Sequence, residues 1–435
     1  MLYCLRARVG WGEERTPTLR GWVMLGFLRH PNLRARRIER LSLCPEKVMT
    51  EGLLGAAPNE ESSMSSTRRY AASGVDEPRE QQALAGMLRN FARTVGARTG
   101  VGSAVAETDH FGSLIRLAGN LGLAITTDGV GTKLMLAQQL RRYKEIAHDL
   151  VANNVNDVLC MGATPVSLVD YIGIDVADER FLEEFSSALA DAALAAHVEI
   201  VGGEIAQIGG MLNPHHGSPR FDVVATAVGI CKLSDEDTEG NWPKALDRNN
   251  VKPGHVLIGL RSSGLHSNGY SLARRVLFSE AGLHLDSTPP ALGGATLADA
   301  LLMPTRIYVD AVLPLLQAGM ATGIANISGG GFLTISRLNP RVGFEITEIP
   351  EPQPIFDLIR VSGNLGPGEM LSTFNMGLGM VIAVAPNNVD RATQLLTQND
   401  EKVTIIGRVV PPNRLGEVIV RPAGVRGVGH EFELM

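Results

Sequence analysis

Cysteine and aromatic residues are scarce in this chain. Its 435 residues include four cysteines, Cys4, Cys44, Cys160 and Cys231, whose spacing fits neither a disulfide framework nor a zinc site. A reducing compartment is the simplest interpretation, and we expect a cytoplasmic protein. Aromatic residues make up only 5% of the chain, whereas glycines number 48. That balance is typical of a protein rich in tight turns and close backbone approaches.

Long apolar runs and excess positive charge are missing as well. No apolar run reaches the ~18 residues that indicate a membrane-spanning helix. The net charge of −6 gives no general affinity for nucleic acid. We therefore expect neither a membrane nor a nucleic acid as partner. Hydrophobic residues at 44% and charged residues at 20% are ordinary for a soluble globular protein, and the length is enough for two domains.

The first 66 residues differ from the rest. Residues 1–48 contain nine arginines against four glutamates and show no clear hydrophobic period, and residues 51–66 have the composition of a linker. We expect residues 1–66 to be a disordered extension or the result of a misassigned start, and we exclude them from fold reasoning. Two origins stay open. One is a transit peptide, which is Arg-rich and acid-poor; the other is a start codon placed too far upstream, with Met49 or Met64 as the initiator.

From residue 70 onward, segments with a helical period alternate with segments typical of strands. Helices are predicted at 77–95, 144–162, 178–196, 271–281, 298–318, 354–361 and 387–398. Strands are predicted at 121–127, 165–174, 199–201, 222–231, 255–260, 344–346 and 380–384. This alternation predicts an α/β (α+β) fold with an N-terminal domain at 67–240 and a C-terminal domain at 241–435.

Short polar side chains gather on one face of the helix predicted at 144–162. They lie on the side opposite the apolar core and comprise Asp149, Asn153, Asn156 and Asp157. Surface helices more often carry Lys, Arg and Glu, whereas Asp and Asn oxygens suit a hard cation such as Mg²⁺. The face is therefore either a solvated surface or part of a metal site.

The stretch ITTDGVGTK at 125–133 follows an apolar run. Gly129 and Gly131 permit close backbone approach to a ligand. Asp128 offers a carboxylate, and Lys133 could meet a phosphate as a point charge. The G-x-x-x-x-G-K-[ST] spacing of a P-loop is absent, so the stretch alone indicates either an ordinary loop or a metal and phosphate loop.

Two further glycine-rich segments raise the same choice. Gly203 and Glu204 follow a predicted strand in GGE, and Gly329 and Gly330 belong to a glycine triplet that follows Asn326. Such loops let a ligand approach backbone N–H groups, but each is also compatible with a plain turn.

A polar loop, SSGLHSNGY at 262–270, lies between a predicted strand and a predicted helix. Ser267 and Asn268 stand where a helix N-cap is wanted, and the helix N-terminus behind them is suited to an anion. His266 is either a structural histidine or a functional one.

Taken in order, the motifs TDGVGTK, DLVANNVNDVLCMGATPVSLVDYI, GGE, SSGLHSNGYSLARR, MPTRIYV, ISGGGF and TFNMGLGM resemble the motif series of the aminoimidazole ribonucleotide synthetase family, also called phosphoribosylformylglycinamidine cyclo-ligases. The resemblance covers residues ~70 to ~410. HSNGYSL and PTRIYV separate this family from others with the same fold. The resemblance implies that the N-terminal sheet pairs with that of a second subunit to form a barrel, and that a C-terminal mixed α/β domain packs alongside.

The resemblance also implies a homodimeric enzyme of de novo purine biosynthesis that uses ATP and Mg²⁺. Its substrate would be formylglycinamidine ribonucleotide, cyclised to 5-aminoimidazole ribonucleotide. Because an amide oxygen is a poor leaving group, ATP would phosphorylate it, and a nearby nitrogen would attack the activated carbon.

Roles follow for the positions that match the family motifs. Asp128 and Asp157 would hold the metal, and Lys133 would contact phosphate. His266, with an ordinary pKa near neutrality, would perform acid–base work or orient the formamide oxygen; it forms the catalytic set with Lys133 and Asp128. The ATP-binding set is Asp128, Gly129, Gly131, Thr132, Lys133, Asp149, Asn156, Gly203, Glu204, Gly329 and Gly330. The substrate-binding set is Ser267 and Asn268.

Some positions depart from the family pattern. Asn326 stands where the family carries histidine, so an acid–base role there is lost. Ile205 and Gln207 replace a threonine and a second acid, and we expect all three changes near the active cleft. Two alternatives therefore stay open: another ATP-dependent kinase or synthetase of the same fold, and an inactive paralogue.

Overall fold

A computed structural model describes residues 2–4, 77–105, 111–212, 220–236, 240–429 and 431–435. All of these residues belong to one compact unit. Apart from residues 2–4, the expectation for residues 1–66 lies outside the described residues. Within the described ranges, no helix is both long and apolar enough to cross a bilayer.

The N-terminal half forms a six-stranded sheet. Its strands are β1 (Leu2–Cys4), β2 (Ser113–Arg116), β3 (Leu121–Gly129), β4 (Thr164–Ile174), β5 (Glu199–Gln207) and β6 (Phe221–Lys232). Their spatial order is β1–β5–β4–β6–β3–β2, and only β4 and β5 run parallel. Because β1 pairs with β5, residues from the start of the chain form an edge of this sheet.

Helices cover one face of this sheet. Helix α1 (Glu77–Ala92) precedes β2 in the chain, and the covering helices are α2 (Leu134–Leu140), α3 (Lys144–Cys160) and α4 (Glu179–Ala195). The predicted helices at 77–95, 144–162 and 178–196 are thus confirmed with slightly shorter ends. Helix α4 begins where the Asp178 carboxylate accepts a hydrogen bond from the N–H of Phe181 at 3.0 Å, as an N-cap should. The apolar side chains of α1 stay exposed, with Phe91 58% accessible.

The C-terminal half forms an eight-stranded sheet. Its strands are β7 (Val256–Arg261), β8 (Ala321–Asn326), β9 (Gly343–Ile346), β10 (Leu378–Val384), β11 (Val403–Val410), β12 (Val418–Val420), β13 (Val425–Val428) and β14 (Glu431–Leu434). The order is β14–β13–β12–β9–β11–β7–β10–β8. Every residue of β10, which lies between β7 and β8, is buried, so the sheet is covered on both faces at this strand. The predicted mixed α/β fold is confirmed, with two sheets.

The helices of this half are α5 (Tyr270–Arg274), α6 (Leu297–Leu302), α7 (Val309–Gln317), α8 (Pro354–Ser362), α9 (Pro367–Thr373) and α10 (Val389–Gln398). The prediction of one helix at 298–318 is wrong, because residues 303–308 interrupt it. Met303 adopts φ −50° and ψ 124°, since a residue before proline avoids the helical region.

Helix α3 is buried on all sides. Its apolar side chains pack on the N-terminal sheet, and its second face packs against β8 and α7 of the C-terminal half. Asp149, Asn154 and Asn156 are fully buried. The expectation of a polar face turned away from the core is therefore wrong, since this face lies between the two halves.

The polar side chains of α3 supply hydrogen bonds to the irregular segment 303–308. Asp149 Oδ1 accepts from the N–H of Thr305 at 2.6 Å. Asn156 donates to the carbonyl of Arg306 at 2.8 Å and accepts from the N–H of Tyr308 at 3.1 Å. Buried backbone groups outside helices and sheets need such partners. Short Asp and Asn side chains on this face are thereby explained without a cation.

A buried ion pair completes this contact. Lys133 Nζ lies 2.6 Å from Asp149 Oδ2, and both side chains are 0% accessible. Lys133 also donates to the carbonyls of Met303 at 2.8 Å and His266 at 3.2 Å. Burial lowers the pKa of Lys133 and raises the pKa of Asp149, and their mutual attraction opposes both shifts.

Replacement of Asp149 by Asn is expected to destabilise the protein by about 3–5 kcal/mol, because it leaves a buried lysine without its counter-ion. The amide can still accept from Thr305, so the change isolates the charge. The free energy of unfolding in urea at pH 7 measures the effect.

Asp235→Asn is the matched control. Asp235 pairs with Lys244 at 2.7 Å on the surface, and its loss should cost under about 1 kcal/mol. Equal effects of the two substitutions would show that the buried pair has no special part in stability.

Candidate active site

Asp128 is held at the end of β3 by the tandem asparagines of α3. Asn154 accepts from the N–H of Asp128 at 3.1 Å and donates to its carbonyl at 3.2 Å. The Asp128 carboxylate accepts from the N–H of Gly129 at 2.8 Å and is otherwise turned to solvent. Surrounding protein nevertheless raises its pKa by desolvation. After it, Gly131 has φ 67°, which favours glycine.

Asp157 comes from the last turns of α3 and meets the end of β8. Asn326 donates to Asp157 Oδ1 at 2.9 Å. Burial, with a smaller contribution from the negative charge of Asp128, raises the pKa of Asp157 to about 7, while the Asn326 hydrogen bond and the charge of Arg337 oppose the shift. The two carboxylates are therefore close enough for the charge of Asp128 to affect Asp157. Asn326 lies beside Asp157, as expected.

This carboxylate pair fits a divalent cation that other ligands help to bind. Within the described ranges, no group of three or more His, Cys, Asp or Glu side chains could hold a metal ion. Mg²⁺ often takes only one or two carboxylates and completes its octahedron with phosphate oxygens and water. Two carboxylates that repel each other are suited to such an ion, because it removes the repulsion.

The glycine triplet lies beside the loop 262–270. Gly331 has φ 54°, and a Cβ there would collide with the carbonyl of Leu371, so only glycine fits. Gly330, with φ 86°, precedes it. A Cβ on Gly329 would lie 3.7 Å from Asn268 Oδ1. The predicted ligand-binding residues Gly329 and Asn268 therefore lie next to each other.

Asn153 joins the two loops that carry the predicted ligand-binding residues. It donates to the carbonyl of Gly129 at 3.0 Å and accepts from Ser267 Oγ at 3.1 Å. Ser267 Oγ is also 3.1 Å from Thr305 Oγ1. The Asp128 loop and Ser267 are thus positioned by the same asparagine side chain.

His266 is buried, and the expectation of an ordinary pKa is wrong. It is 2% accessible, and its Nε2 accepts from the N–H of Ser263 at 3.3 Å. Burial lowers its pKa to about 3, with the charges of Lys133 and Arg306 adding to the shift. The imidazole is therefore neutral throughout the physiological range and serves as a hydrogen-bonding group in this arrangement.

Three other predicted residues are engaged by the protein itself. All three donor protons of Lys133 face protein acceptors, so this geometry leaves none for a phosphate. Asp149 and Asn156 bind the backbone of segment 303–308. Thr132 directly precedes Lys133, and its Oγ1 lies 3.3 Å from Ser271 Oγ.

The structure does not bring Glu204 to Asp128. Along the sheet, Asp128 pairs with Ala225, Ala225 with Asp170, and Asp170 with Gly203. Three strand spacings of about 4.8 Å separate Asp128 from Gly203 by about 14 Å. The side chain of Glu204, one residue later, points to the opposite face.

Two of the departures from the family pattern, Ile205 and Gln207, also lie on β5, away from Asp128. Ile205 pairs with Ile172, and Gln207 pairs with Ile174, both on β4. Ile205 packs against the hydrophobic core. Of the three departures, only Asn326 lies beside the carboxylate pair.

Sequence reasoning missed Asn154 and Arg337 as parts of this site. Asparagine is a poor helix former, so two adjacent asparagines inside a helix destabilise it. Their presence in the predicted helix indicates that they have a role other than helix formation. Arg337 lies in the 3-10 turn Gly331–Leu338 and lowers the pKa of Asp157 through its charge. No local pattern marks it.

Asp157→Asn should stabilise the unliganded protein at pH 8. A carboxyl whose folded pKa is raised to about 7 from 3.8 favours the folded state below pH 4, and that contribution is lost as the pH rises through 7. Because the amide does not ionise, the variant avoids this loss. Its free energy of unfolding at pH 8 should be higher by an amount of the order of 1–3 kcal/mol, after allowance for partial exposure.

Urea unfolding from pH 4 to pH 8 measures this difference. The stability difference between Asp157→Asn and the unmodified chain should grow as the pH rises from 4 and level off above 7. A difference that does not change across this range would contradict the raised pKa.

Two family models match the chain. One, described as AIR synthase related protein, N-terminal domain, matches residues 110–231. The other, described as AIR synthase related protein, C-terminal domain, matches residues 252–420.

Solved structures share the fold. The tt0281 structure from Thermus thermophilus has a TM-score of 0.52 at 17% identity and covers 76% of this chain and 95% of its own. The AaThiL structure complexed with AMPPCP and TMP has a TM-score of 0.50 at 18% identity, with 79% and 95% covered. At these identities the likeness concerns the fold alone.

Curated relatives are more similar in sequence. The phosphoribosylformylglycinamidine cyclo-ligase of Symbiobacterium thermophilum is 40% identical over 363 residues, 81% of this chain and 98% of the relative. That of Methanothermobacter thermautotrophicus is 37% identical over 331 residues, 75% of this chain and 90% of the relative. Similarity at this level over nearly the whole length of these relatives shows that the chain belongs to the phosphoribosylformylglycinamidine cyclo-ligase family.

Proposed function

We propose that this protein is a ligase that cyclises formylglycinamidine ribonucleotide to 5-aminoimidazole ribonucleotide in purine biosynthesis, with conversion of ATP to ADP and phosphate. The observation that carries the proposal is the Asp128–Asp157 carboxylate pair between the two halves of a chain that belongs to this family. The formyl oxygen takes the γ-phosphoryl group, the amidine nitrogen bonds to the formyl carbon, and the oxygen leaves as part of the phosphate.

Asp128 and Asp157 would hold Mg²⁺ at this position. A bound Mg²⁺ neutralises charge on the phosphates during phosphoryl transfer. Asn326 keeps the Asp157 carboxylate in place through their 2.9 Å hydrogen bond. Because an amide does not exchange a proton at neutral pH, Asn326 acts by orientation.

The glycine loops would cradle the phosphates of ATP. Gly129, Gly131, Gly329 and Gly330 leave backbone N–H groups open to close approach. Ser267 and Asn268, across from the glycine triplet, would bind the ribonucleotide substrate. Together they would hold the attacking nitrogen near the activated carbon, which gives a large effective molarity.

Lys133 and His266 take revised parts in this proposal. Lys133 positions the Asp128 loop through its ion pair with Asp149. His266, neutral because its pKa is lowered to about 3, would orient the formamide oxygen or a neighbouring group by hydrogen bonding. Neither residue needs to move a proton.

The N-terminal sheet supports a homodimer. The face opposite α3 carries Val169 and Tyr171, which are 40% and 39% accessible, and Glu204 on the neighbouring strand. An apolar sheet face left open to this extent indicates an interface. We propose that two such sheets face each other and close into a barrel.

Further assignments rest on the same evidence. We propose domains at 67–240 and 241–435, supported by family matches that end at 231 and begin at 252. We propose a cytoplasmic location, supported by the free thiols of Cys160 and Cys231.

A second candidate is a different ATP-dependent kinase or synthetase on the same fold. Asn326 favours it, because the position contacts Asp157 directly and differs from the residue usual in the family. Formation of the aminoimidazole separates the two candidates, since only the cyclo-ligase makes it.

Asp128→Asn is expected to lower kcat at least about 100-fold, because the transferring phosphoryl group loses its cation. Affinity for MgATP, measured by calorimetry, should fall at least about 10-fold. Asp390→Asn, an exposed carboxylate on α10, is the control and should change neither quantity. Unchanged turnover in Asp128→Asn would refute the metal assignment.

Val169→Glu should convert the dimer to a monomer, since it places charge in the centre of the proposed interface. Sedimentation equilibrium measures the mass of the assembly. Val361→Glu, the same change at a position 61% accessible on α8, should leave the mass unchanged. A monomeric unmodified protein, or a Val169→Glu variant that stays dimeric, would exclude this interface.

A further inference from the structure

A second cavity lies away from the carboxylate pair. It has a volume of about 530 Å³ and lies between the end of β6, the start of β7 and the end of α7. We call it the basic cavity, defined by Lys232, Lys244, Lys252 and His255, which all line it.

The basic cavity lies at the opposite end of the strands from the active site. On β8, Ala321 lines the cavity, whereas Asn326 at the other end contacts Asp157. On β6, Lys232 pairs with the first residue of β3, and Asp128 lies near the end of that strand. Five residues of extended chain separate Ala321 from Asn326 by about 17 Å. The cavity is therefore a separate site.

Positive charge is concentrated there. Lys232, the last residue of β6, forms an isolated β-bridge with Lys244, which places the two residues side by side. Asp235 also lines the cavity and pairs with Lys244 at 2.7 Å, but Lys232 and Lys252 form no ion pair with any described residue. Like charges in neighbouring positions repel, and a bound anion would relieve that repulsion.

His255 adds a neutral polar group to the same wall. Burial and the charge of Lys252 lower its pKa, and its Nδ1 is 2.9 Å from Thr322 Oγ1. A neutral imidazole can give or take a hydrogen bond with a ligand.

The remaining wall has different chemistry. Leu316 and Pro243 contribute apolar surface, which suits a ring. Helix α7 ends at the cavity with Gln317, whose side-chain carbonyl oxygen can accept from the hydroxyl or amino donors of a ligand.

We propose that the basic cavity is an accessory site for a phosphorylated, ring-bearing small molecule of the size of a nucleoside monophosphate. The lysines would bind the phosphate, the apolar wall would contact the ring, and the end of α7 would accept from its donors. A volume of about 530 Å³ lies within the range of small-molecule sites. This proposal is independent of the reaction proposed above.

Calorimetry on the full-length protein tests the proposal. Adenosine 5′-monophosphate, inorganic phosphate and adenosine are the probes, each titrated with the active site saturated by the MgATP analogue AMPPCP. The monophosphate should bind one site per chain and at least 10-fold more tightly than either phosphate or adenosine, because both parts of the cavity contribute.

The double variant Lys232→Gln/Lys252→Gln should weaken binding of the monophosphate at least 10-fold. Lys402→Gln, an exposed lysine just before β11 and at the far end of that strand from the cavity, is the matched control and should leave it unchanged. Cyclisation activity measured without the monophosphate should be equal in all three proteins.

Three results would overturn the proposal. The first is no binding of the monophosphate once the active site is saturated. The second is equal binding of the monophosphate and either fragment, and the third is undiminished binding by the double variant.

Discussion

The structure depends on how one buried helix supplies partners for an irregular stretch of backbone. Segment 303–308 lies against α3 without the hydrogen bonds of a helix or a sheet, and a buried backbone group without a partner costs free energy. Asp149 and Asn156 provide those partners, and Lys133 neutralises Asp149. The two halves of the protein are therefore held in one relative position by directional contacts.

That constraint sets the geometry of the active site. Helix α3 carries Asp157 toward the end of β8, while Asn154 and Asn153 of the same helix fix Asp128 and Ser267. The two acids thus come from one half and the glycine triplet from the other. Burial raises the pKa of both acids, and the negative charge of Asp128 adds to the shift at Asp157. A bound divalent cation would favour the charged form of both.

Sequence patterns were sufficient where the information is local. The period of the helix at 144–162 and the strand before Asp128 predicted both elements, and the motif order indicated the family. The identity of the residues that meet Asp149 could not be read from sequence, because Thr305 lies 156 residues away. A face of Asp and Asn looks the same whether it binds a cation or a distant backbone.

Side-chain burial and strand order could not be predicted from the sequence either. The pKa of His266 depends on complete desolvation, which a loop sequence rich in Ser and Gly does not reveal. Glu204 follows a strand end like Asp128, but the order β5–β4–β6–β3 separates them. Sheet order is a property of the whole domain, so no local motif contains it.

The fate of the formyl oxygen distinguishes the proposed cyclisation from other ATP-dependent reactions. Formylglycinamidine ribonucleotide labelled with ¹⁸O in the formyl group would be incubated with MgATP and the full-length protein. The account predicts equal amounts of 5-aminoimidazole ribonucleotide and ADP, with the label in the released phosphate. Unlabelled phosphate, or ADP without the aminoimidazole, would contradict it.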